Sequence, residues 1–491
     1  MTELLETLTL RNLTGSTAEL THIDCLDTSN LESQQRDRLL GPVRIPWRSA
    51  NNDGADPKPA KAQEGRAVIA DREAYNGALK PGREAVHLVL EAYATMHVRI
   101  PAARLRRLRL DLKSHDGSSW HIELSGPVGH AAKITSDNTD VPYTVIYDGS
   151  STTIAIFDQY DTRRWMQVFT DDTSLSALSI PGTHNSPTCY PALPSVRCQE
   201  VPVATQLLEG VRYLDIRVQL DDVSKGTASH AMQLVHAVFP ISFHGPKLFS
   251  ALISDVYDFL EKHPSETIIM SLKREGRGSG TDALFAERLE EYYMNSRYWH
   301  TASGIPSLGE VRGKIVVLRR FELGATFSNR AFGIDATNWA DNHTNHLHGD
   351  IHIQDFYNVT STRGIAKKAD FVMEHLARSR AVVHSKEFNE AAVDSRPLFI
   401  NHLSANNFWT PGCWPDKVAA KVNPAVLSFL CKGHTTVQAG LGIPDGEVQG
   451  DGGLGVVVCD WVGGSGNWDL VRAIIGTNSR LLSGQQKRRY S

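Results

Sequence analysis

SIPGTHNS, residues Ser179–Ser186, sets a histidine directly after a short apolar strand and a Pro-Gly turn. A strand that ends in such a turn displays the next side chain at its carboxyl end. In α/β barrels that is where chemistry collects. Working outward, further apolar strands are expected at Ala177–Ile180, Tyr213–Val218, Met232–Ala237, Thr267–Leu272, Ile315–Arg319, Ile351–Phe356, Leu398–Asn401 and Val456–Cys459. Helical spacing of apolar residues predicts helices over Pro202–Glu209, Lys247–Lys262, Ala283–Tyr293, Lys367–Ala377 and Lys417–Phe429. Eight strands alternating with helices predict a closed, TIM-like α/β barrel for a catalytic domain of residues 166–491.

Residues 1–165 read differently. LTLRNLT, MHVRI, LRRLRLDL, SWHIEL, YTVIY and TTIAIFDQ are short runs separated by Gly, Asp, Asn and Ser, and they predict a β-rich, sandwich-like accessory domain. Trp120, beside alternating apolar residues, is expected to face its core. The polar, Pro/Gly-rich stretch Asn51–Gly65 reads as an exposed loop.

Composition narrows the function. The 491 residues are 41% hydrophobic with a formal net charge of -4, which disfavours nucleic acid as a partner. No run of 18 apolar residues and no signal-peptide pattern is present, so the reading is cytoplasmic with transient peripheral membrane contact. Six scattered cysteines lack CxxC spacing and read as thiols, Cys189 and Cys198 included. GxGxxG, a P-loop, GxSxG and HExxH are absent, so no nucleotide or redox cofactor is expected.

His184, Asp215, Arg217, Lys273, Arg320, Asp355 and Asp460 all fall at or just beyond expected strand ends. Two histidines, an arginine and carboxylates suit phosphodiester cleavage by an internal hydroxyl. One imidazole takes the hydroxyl proton and the other protonates the departing oxygen. Arg217 can set a planar fork of donors against the phosphoryl oxygens, a contribution of about 3 kcal/mol when well placed. For the second histidine, His236 lies within apolar MQLVHA and reads as buried support. His244, in SFHGP beside a Gly-Pro turn, reads as the one facing the site.

The series His184, LDIR, SFHGP, SETIIMSLK, LGEVRGKIVVLRRF and IQDFY resembles the X domain of phosphatidylinositol-specific phospholipase C, bacterial type, over most of residues 170–475. The N-terminal region resembles the extra domain that precedes such catalytic domains in fungal sequences. The resemblance implies cleavage of phosphatidylinositol, or a glycosylated inositol lipid, to diacylglycerol and inositol 1,2-cyclic phosphate. It implies His184 as general base, His244 as general acid, Arg217 as phosphate clamp, Asp460 as the carboxylate orienting His184, and Asp215 as support. Lys273, Arg320, Asp355 and Tyr357 are then the inositol-binding groups. Asn185 departs from the bacterial His-Asp pair and matches the calcium-dependent branch. Arg217 and Lys273 stand where that branch has acids, and two cations there oppose Ca²⁺, so no metal is expected. The competing readings are a calcium-dependent phosphoinositide phosphodiesterase and a catalytically impaired lipid-binding protein.

In NNFWTPGCW, Phe408, Trp409 and Trp414 are expected at the barrel rim, where aromatics can enter a lipid headgroup layer. The run His343, His346, His348 and His352 matches no metal spacing and reads as a solvated loop. Protein partners are not legible.

Overall fold

The computed structural model describes residues 5–25, 71–75, 82–101, 107–114, 116–125, 133–136, 142–220, 231–277, 280–327, 330–382, 396–432 and 453–482. The loop expected at Asn51–Gly65 lies outside the described residues. Contacts divide the chain into two compact units, one largely within residues 1–154 and the other comprising 155–491 with residues 13–15 and 142–146.

Two five-stranded sheets precede the α/β region. One runs in the order Asp71–Tyr75, Thr95–Pro101, Leu5–Asn12, Thr153–Asp158, Tyr143–Asp148. The other runs Gly82–Leu90, Ala18–Cys25, Arg107–Ser114, Ser119–Ser125, Lys133–Ser136. Period-two patterning makes these strands: Leu108, Leu110 and Leu112 are buried on one face, as are Trp120, Ile122 and Leu124. Trp120 is buried and donates its Nε1–H to Ser114 Oγ at 2.9 Å.

The α/β unit is built on eight strands: β1 (Ser179–Thr183), β2 (Tyr213–Leu220), β3 (Met232–His236), β4 (Ile268–Arg274), β5 (Ile315–Arg319), β6 (Ile351–Gln354), β7 (Leu398–His402) and β8 (Gly455–Cys459). Seven are parallel in the order β5-β4-β2-β1-β8-β7-β6. IVVLR in β5 and GVVVC in β8 are buried throughout, as expected for strands covered on both faces. Gly182 in β1 serves close packing, because a Cβ there would meet the Tyr213 side chain at 3.0 Å.

Two expectations need correction. β3 is not a barrel strand but pairs antiparallel with β2, so it forms a hairpin-like flap on the sheet. The sheet also curls without closing among the described residues. Beyond β5 the edge consists of two two-residue pieces, Trp299–His300 and Ile334–Asp335, which are too short to reach across. Beyond β6 it ends in the antiparallel strand His346–His348. The result is an open, TIM-like half-barrel.

Helices α1 (Val203–Leu208), α2 (Phe249–Lys262), α3 (Asp282–Tyr292), α4 (Thr362–Arg380), α5 (Pro415–Lys432) and α6 (Asp469–Gly476) accompany the sheet. In α2, Phe249, Leu252, Ile253, Val256, Phe259 and Leu260 are buried, the stripe its sequence spacing dictates. The Glu266 of SETIIMSLK has a structural task. Fully buried, it accepts Arg212 Nε–H at 2.9 Å, while Arg212 also donates to the Thr162, Leu207 and Val211 carbonyls.

Candidate active site

The carboxyl ends of β1, β2, β4, β7 and β8 bring polar side chains together above a sheet that is otherwise apolar. His184 follows β1, and its Nδ1–H donates to Asp460 Oδ1, just past β8, at 2.9 Å. Its backbone is fixed as well: His184 N–H donates to the Cys459 carbonyl, and Gln199 Nε2 donates to the His184 and Cys459 carbonyls. With Nδ1 committed to Asp460, Nε2 is the nitrogen left for chemistry. The Asn185 amide lies 3.3 Å from it, and donates to it when His184 is neutral. Burial works against a charge on His184, yet Asp460 and Cys198 beside it hold its pKa above the ordinary imidazole value.

Asn185 adopts a left-handed backbone (φ 42°), a conformation asparagine tolerates better than most residues. The turn is pinned to β2, because Asn185 N–H donates to Asp215 Oδ2 and Ser186 Oγ accepts the Asp215 N–H. Asp215 is fully buried and receives Arg217 through Nη2 (3.1 Å) and Nε (3.3 Å), with Arg320 at 3.7 Å from its other oxygen. Burial alone would raise its pKa, but Arg217 and Arg320 hold it well below the usual carboxylate range. Arg217 also donates to Glu275 at 3.2 Å, and Lys273 pairs with the same carboxylate at 3.1 Å. Glu275 thus sits between two cations, which overcome burial and bring its pKa down to about 2.

On the other flank the Arg320 guanidinium stacks over Trp339 at 3.8 Å, and Trp339 Nε1–H donates to Asp355 at 2.8 Å. Arg320 is buried, so it is part of this network rather than a surface cation. Tyr357 is more exposed, though Asp355 and Arg217 both act on its hydroxyl.

The second histidine is where the arrangement departs from expectation. His236 ends β3, and its ring stands edge-on to His184 with centroids 5.8 Å apart. Its Nδ1–H donates to the Val196 carbonyl at 2.9 Å. Burial, then the charges of Arg217 and His184, lower its pKa to about 4. His244 instead lies on the exposed stretch 243–246, where its backbone N–H donates to Ser242 Oγ. Ala237 turns left-handed (φ 52°) directly after His236, and the strand pair closing on Phe239–Pro240 carries the chain outward before SFHGP is reached. The Gly-Pro turn leaves His244 exposed. The strand-end rule that selected His184 would also have selected His236.

His402, Glu275, Trp339 and Lys368 were not singled out from sequence. His402 ends β7, fully buried, with its ring 6.0 Å from His184 and 5.6 Å from Trp339. Burial lowers its pKa to about 4 against the pull of Asp355 and Asp215. Lys368, on α4, is fully buried and donates to Gln354 at 3.1 Å; burial lowers its pKa to about 7 despite Asp355 and Asp460. Neither a lone His in NHLSA nor a lone Lys on a helix carries a sequence signal. Asn185 Oδ1, Asp215 Oδ1, Arg320 Nε and Nη1, His402 Nε2 and Asp460 Oδ2 are buried polar atoms with no protein hydrogen-bond partner. Such a concentration suits a polar ligand bearing several oxygens.

At the rim, Phe408 stacks on Phe239 (5.2 Å, 12°) and meets Trp409 edge-on at 4.9 Å. Trp409 is 86% exposed and Phe243 63%. Trp414 is half-buried and donates Nε1–H to the Phe408 carbonyl, so it braces the loop. Of the histidine run, His346 and His348 lie on the outer edge strand beside β6. Cys189 and Cys198 are thiols, as expected.

A carboxylate-oriented histidine, a second imidazole and a paired arginine at the open end of an α/β half-barrel define a phosphodiester-cleaving class of site. Residues 172–321 match the phosphatidylinositol-specific phospholipase C, X domain. A 1-phosphatidylinositol phosphodiesterase of Listeria monocytogenes is 29% identical over 298 residues, 57% of this chain and 80% of the relative. One from Staphylococcus aureus is 31% identical over 192 residues, 37% of this chain and 58% of the relative. Among solved structures, a mutant of the S. aureus phosphatidylinositol-specific phospholipase C is similar at 23% identity and a TM-score of 0.49, covering 65% of this chain and 98% of that one. The L. monocytogenes enzyme gives 24% identity and 0.46, covering 65% and 99%. The match to the X domain spans residues 172–321, and both of these curated relatives are bacterial 1-phosphatidylinositol phosphodiesterases.

Proposed function

We propose that the protein is a metal-independent phosphatidylinositol-specific phospholipase C, a lyase that releases diacylglycerol and inositol 1,2-cyclic phosphate. The observation that carries this reading is the His184–Asp460 pair standing edge-on to His236, with Arg217, paired to Asp215, acting on His236. In the reaction, His184 Nε2 takes the proton of the inositol 2-hydroxyl. The freed oxygen attacks phosphorus, and the bond from phosphorus to the glycerol oxygen breaks. His236, protonated, delivers its proton to that departing oxygen. Arg217 stabilises the charge that builds on the phosphoryl oxygens. The roles expected of Asp215, Asp460, Lys273, Arg320, Asp355 and Tyr357 carry over, with Asn185 holding His184 and His236 replacing His244 as the acid.

Metal independence rests on charge. The carboxylates that could take Ca²⁺, Asp215 and Glu275, are already paired with Arg217, Arg320 and Lys273. A hard dication entering there meets fixed positive charge and few available oxygens. The substrate class is phosphatidylinositol or its glycosylated form, reached by peripheral contact. No helix among the described residues is long and apolar enough to cross a membrane. Phe408, Trp409 and Phe243 form the apolar part of the rim proposed to meet the lipid surface. We read residues 1–165 as an accessory domain whose two sheets stack as a sandwich, since both bury an apolar face.

The test is product analysis with phosphatidylinositol vesicles in excess chelator. Inositol 1,2-cyclic phosphate is expected, falling at least 100-fold in His184→Ala and His236→Ala, while His244→Ala stays within about threefold of the parent. Equal losses at positions 236 and 244 would return the acid to His244. The double variant Phe408→Ala/Trp409→Ala should weaken vesicle binding about tenfold and leave turnover of a soluble inositol phosphodiester near the parent value. A matching loss on both substrates would make the rim structural.

A further inference from the structure

Cys198 has no part in the proposed reaction, yet it lies between the two histidines that do. Its Sγ is 3.8 Å from His236 Nδ1. Among the described residues, His184, Cys198 and His236 form a group whose ligand-capable atoms all fall within 4.8 Å of one another. We propose that these three side chains form a binding site for a thiophilic divalent ion of the zinc type, and that its occupation reversibly stops catalysis. The site itself stands on geometry; the inhibitory consequence rests on the assignment of His184 and His236 as base and acid.

Two imidazoles and a thiolate are a borderline-soft donor set, which favours Zn²⁺ and its neighbours over Ca²⁺ or Mg²⁺. Zinc–nitrogen and zinc–sulfur bonds of about 2.0 and 2.3 Å place tetrahedral ligand atoms roughly 3.5 Å apart. The trio therefore needs only a small contraction, within reach of side-chain rotation. The scaffold is already fixed in the manner of a metal site. Asp460 holds His184 Nδ1, which directs Nε2 inward, the carboxylate–histidine arrangement that orients metal ligands. Cys198 N–H donates to Thr188 Oγ1 at 3.1 Å, anchoring the thiol's backbone. His236 is the adjustable member, because ligation through Nδ1 releases its bond to the Val196 carbonyl.

On binding, the Cys198 S–H bond and the Nε2–H bond of protonated His184 break and both protons leave to solvent. The His236 proton passes from Nδ1 to Nε2, and the freed sulfur and nitrogen pairs form the metal bonds. Affinity therefore rises with pH through the thiol's titration. The same event takes the lone pair of His184 that would accept the 2-hydroxyl proton. A cation of this class would thus act as a brake on an enzyme that needs no metal to work.

The experiment uses the full chain freed of metal by chelation, with Co²⁺ as the spectroscopic probe. A 1:1 titration should raise a near-ultraviolet thiolate-to-cobalt charge-transfer band, displaced by Zn²⁺ and missing in Cys198→Ser and Cys198→Ala. Zn²⁺ should lower cleavage of phosphatidylinositol vesicles at least tenfold, with recovery on adding EDTA and no effect of Mg²⁺. In each Cys198 variant, the zinc concentration for half-inhibition of its own zinc-free rate should rise at least tenfold. Absence of the band in the parent protein overturns the site, as does equal zinc sensitivity in parent and variants. A parent chain that shows the band without any lipid cleavage keeps the site and overturns the phospholipase reading instead.

Discussion

In the proposed reaction, His236 and His184 begin with their protons the wrong way round. Burial and the nearby Arg217 keep His236 neutral down to about pH 4, whereas Asp460 and Cys198 lift His184 above its ordinary value. The productive form, neutral His184 with protonated His236, is therefore the minority arrangement in the free protein. Arrival of the phosphodiester shifts the balance, because its negative charge beside Arg217 offsets the cation that depresses His236. The pH profile of kcat/KM follows with a definite sign. Activity falls below about pH 4, where both rings are protonated, and falls again above the His184 pKa, where both are neutral. Asp460→Asn removes the charge that raises His184, so the alkaline limb should move to lower pH by about one unit, with kcat reduced at least 100-fold. A limb that stays in place would mean that Asp460 only positions the ring. His184 and its carboxylate were legible in sequence because each directly follows an apolar run. His236 was read from its apolar neighbours as buried support, and it is buried; its edge-on stance to His184 comes from the β3 hairpin, which the local sequence does not encode. His402 and Lys368 gave no signal at all, since their importance comes from tertiary neighbours that no local pattern encodes.

The element that decides the geometry is β3. It is held by antiparallel pairing to β2 and ends in a left-handed Ala237 whose N–H donates to Glu275 Oε2 at 2.8 Å. One carboxylate thereby fixes three things: the turn after His236, Arg217 and Lys273. A non-glycine residue at φ 52° costs about 1 kcal/mol, and a β-branched side chain costs more. Ala237→Val should lower stability by about 1–2 kcal/mol in denaturant unfolding and reduce kcat about tenfold or more, because the turn can relax only by moving His236. Ala237→Gly should keep near-parental turnover. Parental activity in the valine variant would show that the turn does not govern His236. Seven of the eight strands fall within three residues of their expected bounds at both ends and also form barrel pairs, because mostly apolar runs such as IVVLR have few other places to go. β3, MQLVH, is less apolar than IVVLR, yet it is its antiparallel partner that makes it a flap and not a barrel strand. Barrel closure was equally illegible, since it depends on whether the chain after β5 supplies one long strand or two short ones.

At the scale of the whole chain, the catalytic unit carries its polar groups on an apolar frame, and that arrangement couples stability to pH. His375 and His402 are fully buried, with pKa values lowered by burial to about 3 and about 4, and His236 stands at about 4. Unfolded, each would titrate near 6.5. Between about pH 6.5 and 4 the unfolded chain therefore takes up protons that the folded chain refuses, and stability falls as pH falls. For a shift such as that of His402 the loss approaches roughly 3 kcal/mol at the acid end. Asp158 and Asp460 oppose the loss in part, because burial raises both carboxyls, Asp158 to about 6, and each takes up its proton in the folded state first. The three histidine shifts together exceed that of Asp158. His184, with its raised pKa, keeps its contribution below 6.5 and loses it only as pH rises through the folded value. Asp215 and Glu275, depressed by their cations, lose theirs only at lower pH still. Thermal unfolding of the metal-free protein should thus show Tm declining from pH 6.5 to 4.5, well before the cation-paired carboxylates Asp215 and Glu275 titrate. His375→Gln removes one of the three titrations while its amide can still donate to the His352 carbonyl, the bond His375 makes at 3.2 Å. The variant should show a visibly shallower decline, even if its Tm at pH 7 is lower. An equally steep decline in both proteins would mean that His375 is not among the groups that set the acid limit of the fold.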